Sequence, residues 1–76
     1  MTYFRLNWSF TPDNTTVYYT ITEEQGPEMP SDFSSWPSGN QYFSSYSAAD
    51  SEVARAIRQM RRGVTIYLNG RFMIST

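Results

Sequence analysis

Hydrophobic residues recur at every second position in two runs at the start of the chain. In the first run these positions are Phe4, Leu6, Trp8 and Phe10. The second run covers residues 15–22 and places Val17, Tyr19 and Ile21 on one face. A period of two is typical of a strand with one buried face. Residues 11–14 between the runs contain Pro, Asp and Asn, which favour turns, so the pattern predicts an antiparallel hairpin.

The middle of the chain, residues 23–46, has no sustained period and is rich in Pro, Gly and Ser. This composition predicts a long loop. The same segment carries many aromatic residues, which disordered segments usually lack, so we expect the loop to be ordered. These aromatic residues are Phe33, Trp36, Tyr42, Phe43 and Tyr46. Residues 41–46 are the candidate for a short extra strand.

A helix is predicted after this loop, because apolar residues recur at intervals of three and four. They are Ala49, Val53, Ala56, Ile57 and Met60. Ser47 is the predicted N-cap, with Asp50 three residues later in the capping-box position. This start places Asp50 and Glu52 in the first helical turn and Arg61 and Arg62 in the last, where the helix dipole favours them. Gly63 is the expected residue after the helix end.

A second hairpin is predicted at the end of the chain, where Asn-Gly at 69–70 separates two apolar runs. A two-residue turn there pairs Leu68 with Arg71, Tyr67 with Phe72 and Ile66 with Met73. One face then carries Val64, Ile66, Leu68 and Met73, and the other carries Tyr67, Phe72 and Ile74. One helix covers only one face of a sheet. The second apolar face therefore needs the aromatic loop or a partner to cover it.

These elements predict an α+β fold in which one helix packs on an antiparallel sheet of about four strands, in the order ββ-loop-α-ββ. The chain has 76 residues, which predicts one small domain over residues 1–76. No run approaches the roughly 18 apolar residues of a membrane span. The N-terminus has no signal-peptide pattern. We therefore expect a cytoplasmic protein with no membrane partner.

Several residue types that carry chemistry are missing from the chain, which has no Cys, His or Lys. Their absence removes the thiol nucleophile, the imidazole base and the Schiff-base amine. It also removes the usual ligands of a structural zinc site. The seven acidic residues cluster mostly in the loop, without a frame that would hold a carboxylate pair at a set distance. We expect no enzyme activity, no catalytic residues, no metal site and no cofactor.

Charge is segregated along the chain although the net charge is only −1. Three arginines, Arg55, Arg58 and Arg62, recur on the side of the predicted helix opposite its apolar stripe. They are candidates for binding phosphates or an acidic protein surface. The alternative is a solvated helix face, or pairing with the acidic loop. That loop carries Glu23, Glu24, Glu28 and Asp32, which either dock on a basic cleft or are simply solvated.

Exposed aromatic residues are the third candidate feature, because Tyr and Arg are enriched at interface hot spots. Tyr3, Tyr18, Tyr67, Phe72 and Ile74 fall on outward or uncertain faces of the predicted strands. Tyr67 and Phe72 are therefore predicted partner-binding residues, together with the arginines and acids above. The alternative is that the loop around Phe33 and Trp36 covers these side chains.

In format the chain resembles the small proteins that bacteriophages of GC-rich hosts encode against their hosts, including anti-CRISPR proteins. The features it shares with them are its length, the α+β order, the lack of catalytic residue types and the one-sided charge. The resemblance implies a stoichiometric inhibitor that occludes a surface of a host protein or nucleoprotein complex. Two alternatives remain open: a small nucleic-acid-binding regulator that uses the arginines, and a structural subunit that self-associates as a homodimer.

Overall fold

A six-stranded mixed sheet with one helix on one face forms the fold of the computed structural model, which describes all residues from Met1 to Thr76. The strands are β1 (Thr2–Phe10), β2 (Thr16–Gln25), β3 (Phe33–Ser35), β4 (Ser38–Phe43), β5 (Thr65–Leu68) and β6 (Arg71–Ser75), and the helix is α1 (Tyr46–Gln59). Across the sheet the strand order is β3-β4-β1-β2-β5-β6. The α+β class with one packed helix is confirmed. The predicted count of about four strands is too low, and the sheet is not purely antiparallel because β2 and β5 run parallel.

The N-terminal hairpin forms as the alternation predicts, with Leu6 opposite Ile21 in the antiparallel register of β1 and β2. Its turn is organised by Asp13, whose Oδ1 accepts hydrogen bonds from Thr11 Oγ1 at 2.7 Å and from Thr15 Oγ1 at 2.8 Å. These bonds stabilise the ionised carboxylate and lower the pKa of Asp13 to about 2, with the bond from Thr11 contributing most.

The helix starts and ends earlier than its sequence pattern predicts. Its N-cap is Ser45, whose Oγ accepts a hydrogen bond from the Ala48 amide at 3.1 Å. The earlier start places Tyr46 in the first turn, where its ring packs edge-on against Phe4 at a centroid distance of 6.1 Å. Asp50 and Glu52 therefore lie beyond the first turn. The helix ends at Gln59 because Met60 has an extended backbone conformation.

The hydrophobic core lies between the helix and the centre of the sheet. Its fully buried side chains include Leu6, Val17, Val53, Val64 and Ile66. The helix lies over β1, β2 and β4, and none of its Cα atoms comes within 8 Å of a Cα atom in β5 or β6. The sheet is therefore wider than the layer that covers it, and the molecule is elongated at 39 × 23 × 20 Å. The helix is neither long nor apolar enough to cross a membrane.

The predicted long loop over residues 23–46 is wrong, because strands occupy half of it. The end of β2 and all of β3 and β4 fall in this range, so the longest irregular stretch is residues 26–32. The candidate strand at 41–46 corresponds to β4, which starts and ends earlier. Alternation is weak here because Gly39 stands at an inward position of β4. A Cβ atom at Gly39 would lie only 2.7 Å from Trp8 Cζ2, so the Trp8 ring occupies the space of the missing side chain.

Candidate protein-binding surface

The β5–β6 hairpin closes through the predicted Asn-Gly turn, in which Asn69 and Gly70 have φ values of 52° and 80°. Positive φ at both central residues is the requirement of a type I′ turn. The predicted pairs of Leu68 with Arg71 and of Tyr67 with Phe72 are confirmed. The third pair is wrong: Ile66 lies opposite Ile74, because a β-bulge shifts the register between Ile66 and Tyr67. Ile74 therefore shares a face with Ile66 and not with Phe72.

The side chain of Asn69 fixes this hairpin against the rest of the sheet. Its Oδ1 accepts a hydrogen bond from the Ile21 amide at 2.9 Å, and its Nδ2 donates to the Tyr46 hydroxyl at 3.1 Å. The Asn69 amide donates to the Tyr19 carbonyl at 2.8 Å. One turn residue thereby joins the hairpin to β2 and to the first turn of the helix. The sequence signal for the turn contained no indication of this second role.

An aromatic cluster lies on the sheet face that the helix does not cover. The rings of Tyr18 and Tyr67 stack at 5.2 Å with an interplanar angle of 25°, and Phe72 meets Tyr67 edge-on at 6.1 Å. Tyr18 comes from β2 and the other two from the terminal hairpin, so the parallel pairing of β2 with β5 assembles the cluster. Tyr3, at the other end of this face, is buried beside Tyr42, so it is not part of an exposed surface.

β6 is an edge strand, and all five of its residues are exposed. Phe72, Met73 and Ile74 are 60%, 42% and 43% exposed. These three side chains, together with Tyr18 and Tyr67, are called the hairpin surface below. They lie at one edge of the sheet, with Phe72 and Ile74 on its opposite faces.

The aromatic residues of the central segment do not cover the hairpin surface. Trp36 follows β3, at the edge of the sheet opposite β6. Its ring centroid lies 4.8 Å from that of Phe10 and 6.1 Å from that of Trp8. Phe33 lies on β3, the opposite edge strand, and is itself 64% exposed. Of the two predicted ways of covering the second apolar face, the loop is therefore excluded in this fold.

The predicted arginine stripe is not assembled. Arg55 binds Glu52 through two contacts, Nε to Oε1 at 2.8 Å and Nη2 to Oε2 at 2.5 Å. The hydrogen bond from Arg55 lowers the pKa of Glu52, and the same bond raises the pKa of Arg55. Arg61 donates to the Asn14 carbonyl. Arg62 follows the helix end and lies outside it, so only Arg58 remains exposed beside Arg55 on the helix.

The predicted acidic group is also dispersed, because the residues that form it belong to different elements. Glu23 and Glu24 are consecutive in β2, so their side chains point to opposite faces. Glu24 lies 3.1 Å from Arg5 Nε, and Asp32 accepts a hydrogen bond from the Tyr42 amide at 2.9 Å. Glu28 is exposed in the irregular stretch between β2 and β3. The four residues therefore do not form one acidic loop.

The fold has two shallow hollows. One lies on the helix side of the sheet and the other lies beside β3. One, of about 220 Å³, is mainly apolar and includes Trp8, Phe10 and Met60. Its carboxylate, Glu52, is held by Arg55. The other, of about 310 Å³, includes Asp32, which is bonded to the Tyr42 amide. Both carboxylates thus have protein partners, and the lining residues favour packing over proton transfer.

Comparison of the chain with protein-family models, with curated proteins and with solved structures finds no match. Within the chain itself, the arginines and acids are mostly engaged in local contacts. The hairpin surface differs from them, because neighbouring strands bring its apolar side chains together and no element of the fold covers them. It is therefore the candidate functional site.

Proposed function

We propose that this protein is a non-enzymatic protein-binding module that inhibits its partner by occluding a surface, and that it binds through the hairpin surface. The observation that carries this proposal is the exposure of Phe72, Met73 and Ile74 beside the stacked pair of Tyr18 and Tyr67. Contiguous exposed apolar residues mark interaction sites in small soluble proteins. Aromatic residues and Met are also enriched at the centres of interfaces.

Phe72 is the expected hot spot of this surface. Its ring is 60% exposed, yet its edge-on contact with Tyr67 restrains its orientation. Binding therefore buries a large apolar ring at a small cost in side-chain entropy. Truncation of a hot-spot residue costs about 2 kcal/mol or more, which corresponds to about a thirtyfold loss of affinity.

The proposed partner class is a host protein or nucleoprotein complex, as in the phage-encoded inhibitors that the chain resembles in format. The exposed apolar side chains and the nearby Arg71 support an interface of mixed apolar and charged character. The net charge of −1 argues against simple imitation of DNA, which needs a large negative charge. The engaged state of Arg55 and Arg61 weakens the case for direct binding to nucleic acid.

The test is a pull-down with the tagged protein from the lysate of a GC-rich bacterial host, with and without nuclease. Phe72→Ala is the test variant. Phe33→Ala is the matched control, because Phe33 is 64% exposed on the opposite edge strand. We expect wild type and Phe33→Ala to recover the same protein in stoichiometric amount with or without nuclease. Phe72→Ala is expected to lose it while retaining the wild-type circular dichroism spectrum.

Two results would contradict the proposal. Recovery that disappears after nuclease treatment would indicate that nucleic acid carries the interaction. Equal recovery by Phe72→Ala and Phe33→Ala would show that the hairpin surface is not the binding site. Sedimentation of the purified chain at micromolar concentration separates both results from self-association through the same surface.

A further inference from the structure

The two edges of the sheet differ in how far they are protected against pairing with another strand. β3 has three residues and lies between Pro30 and Pro37. Short edge strands and flanking prolines are common devices that block edge pairing. β6 has five residues, contains no proline and exposes three apolar side chains. Of the two edges, only β6 has room for an additional strand.

The hydrogen bonds of β5 show which backbone groups of β6 face outward. The Thr65 amide donates to the Thr15 carbonyl, towards β2 and away from β6. The Thr65–Ser75 pair is therefore a non-hydrogen-bonded pair, and the N–H and C=O of Ser75 point away from the sheet. At the other end, Leu68 and Arg71 close the two-residue turn as a hydrogen-bonded pair, which turns the backbone groups of Phe72 outward.

The β-bulge keeps these outward groups at a spacing that a regular strand matches. Phe72 and Ser75 are three residues apart in β6, but they lie opposite Tyr67 and Thr65, which are two residues apart in β5. The bulge takes up the extra residue. A neighbouring strand therefore meets the backbone groups of Phe72 and Ser75 at the ordinary two-residue interval.

Arginine residues lie at both ends of this edge. Arg71 begins β6, and the last residue of the chain, Thr76, donates from Oγ1 to the Arg61 carbonyl at 2.7 Å. This contact places the Arg61–Arg62 backbone beside the end of β6. The Arg61 guanidinium donates to the Asn14 carbonyl, whereas the side chains of Arg62 and Arg71 form no salt bridge and no hydrogen bond within the chain. An occupant with acidic residues near its ends complements this arrangement.

The same charges disfavour a second copy of the chain as the occupant. Antiparallel pairing of two β6 strands brings Arg71 of each copy towards the Arg61–Arg62 end of the other. Parallel pairing brings the two Arg71 residues together. Both arrangements place like charges side by side at the edge, which is destabilising.

We infer that β6 accepts an extended segment of the partner protein as a seventh strand of the sheet. This segment bonds to the outward backbone groups of Phe72 and Ser75, packs apolar side chains on the hairpin surface and carries acidic side chains near its ends. Strand addition of this kind derives affinity from main-chain hydrogen bonds and specificity from alternate side chains. The inference rests on the proposed protein-binding function and adds the mode of binding and the chemistry of the partner.

The test uses the full chain, immobilised, and a displayed library of short random peptides as the probe. Ser75→Pro is the test variant, because it removes an outward N–H that makes no bond within the sheet, and edge strands tolerate proline at such positions. Ser75→Ala is the matched control, because it removes the same side chain and keeps the N–H. We expect selected peptides to alternate apolar residues and to be enriched in Asp and Glu. Their affinity should fall about tenfold or more for Ser75→Pro and stay near wild type for Ser75→Ala.

A second measurement tests the inference on the wild-type chain and does not depend on the folding of Ser75→Pro. Amide hydrogen exchange of the wild-type chain should slow at Phe72 and Ser75 when a selected peptide is bound, and should be unchanged at Ser35 on the opposite edge. Exchange at Phe72 and Ser75 that does not respond to the peptide overturns the inference.

The outcomes separate this inference from the proposed function. Peptides that bind Ser75→Pro as well as wild type but lose affinity for Phe72→Ala overturn strand addition and leave protein binding intact. Selected peptides without an acidic excess overturn the charge complementarity. A dimer in sedimentation that Ser75→Pro dissociates assigns the edge to a second copy and overturns the proposed occupant. In contrast, the proposed function fails if Phe72→Ala still recovers the lysate partner.

Discussion

Replacing Gly39 with alanine tests the packing of the aromatic rings around Trp8. A Cβ atom at this position would lie 2.7 Å from Trp8 Cζ2 and 2.8 Å from the Phe33 carbonyl oxygen. The Trp8 ring must retreat by about 0.7 Å to reach ordinary contact at 3.4 Å. Phe10 and Trp36 pack against this ring, each at a centroid distance of 6.1 Å, so the ring has little room to move.

The expected cost follows from two opposing effects. Overpacking of this kind costs about 1–3 kcal/mol. Replacing glycine with alanine also restricts the unfolded chain, which returns about 0.4–1 kcal/mol. The net loss of unfolding free energy for Gly39→Ala is therefore about 1–2 kcal/mol, or a fall in Tm of about 5–15 °C for a chain of this size.

The measurement is thermal and urea denaturation followed by tryptophan fluorescence, with Gly26→Ala as the control. At Gly26 the nearest atom to an added Cβ is the Tyr3 hydroxyl oxygen at 3.4 Å, which is ordinary contact. We expect Gly26→Ala to melt within a few degrees of wild type. If Gly39→Ala has the same Tm as Gly26→Ala, the Trp8 ring does not lie over β4 as described. Replacing Trp8 with leucine should reduce the cost of Gly39→Ala, since it removes part of the obstruction.

Two further substitutions test the contacts that shape the hairpins. Asn69→Gly keeps a residue suited to the type I′ turn but leaves the Ile21 amide and the Tyr46 hydroxyl without their partner. Urea denaturation should show a fall of about 1–3 kcal/mol in the free energy of unfolding. A fall below about 0.5 kcal/mol would show that these bonds contribute little. Asp13→Asn tests the lowered pKa of Asp13: its stabilising effect is complete above the ordinary value of 3.8 and is lost as the pH falls towards about 2. The difference in Tm between wild type and Asp13→Asn should therefore shrink over that pH range, and a difference that is constant across it would contradict the assignment.

Local patterns in the sequence predicted the elements whose signals lie within a few residues. The alternation around Leu6 specifies β1 because one face of that strand is buried and the other is not. The Asn69-Gly70 dipeptide specifies the type I′ turn because it tolerates positive φ at both positions. The helix was identified from its apolar stripe, but Ser45 and Ser47 are equally good N-caps by residue type. The choice between them depends on the packing of Tyr46 against Phe4, which is a tertiary contact.

Non-local pairing explains most of what the sequence did not reveal. The parallel alignment of β2 with β5 brings Val17 beside Ile66, although nearly fifty positions separate the two residues along the chain. No local pattern predicts such a partner. The short edge strand β3 is missed, and β4 is predicted only in part, because Gly39 under the Trp8 ring interrupts the alternation there. In the candidate site, the shared face of Tyr67 and Phe72 could be predicted from the turn register. Tyr18 could not be assigned to the site from the sequence, because its position beside Tyr67 depends on the parallel register of β2 and β5.

The charged residues show a related limit. The spacing of Arg55, Arg58 and Arg62 is that of one helix face, but the helix ends at Gln59 and Arg62 therefore leaves that face. Glu52 and Arg55 are three residues apart, and the pairing of such residues on a helix is a local effect. This pair could have been predicted from the sequence. Segregation of charge along the chain was therefore a poor guide to segregation of charge on the surface.

The aromatic cluster of the hairpin surface is complete only when β2 and β5 are paired. The two halves of the aromatic cluster arrive from opposite ends of the chain, Tyr18 early and Phe72 late. Closing such a long loop has an entropic cost that local hairpins do not bear, so this alignment is expected to form after both hairpins. A partner that requires both halves cannot dock on a nascent or partly unfolded chain. Under the proposed binding mode, the chain becomes competent to bind a partner only when the β2–β5 pairing has formed.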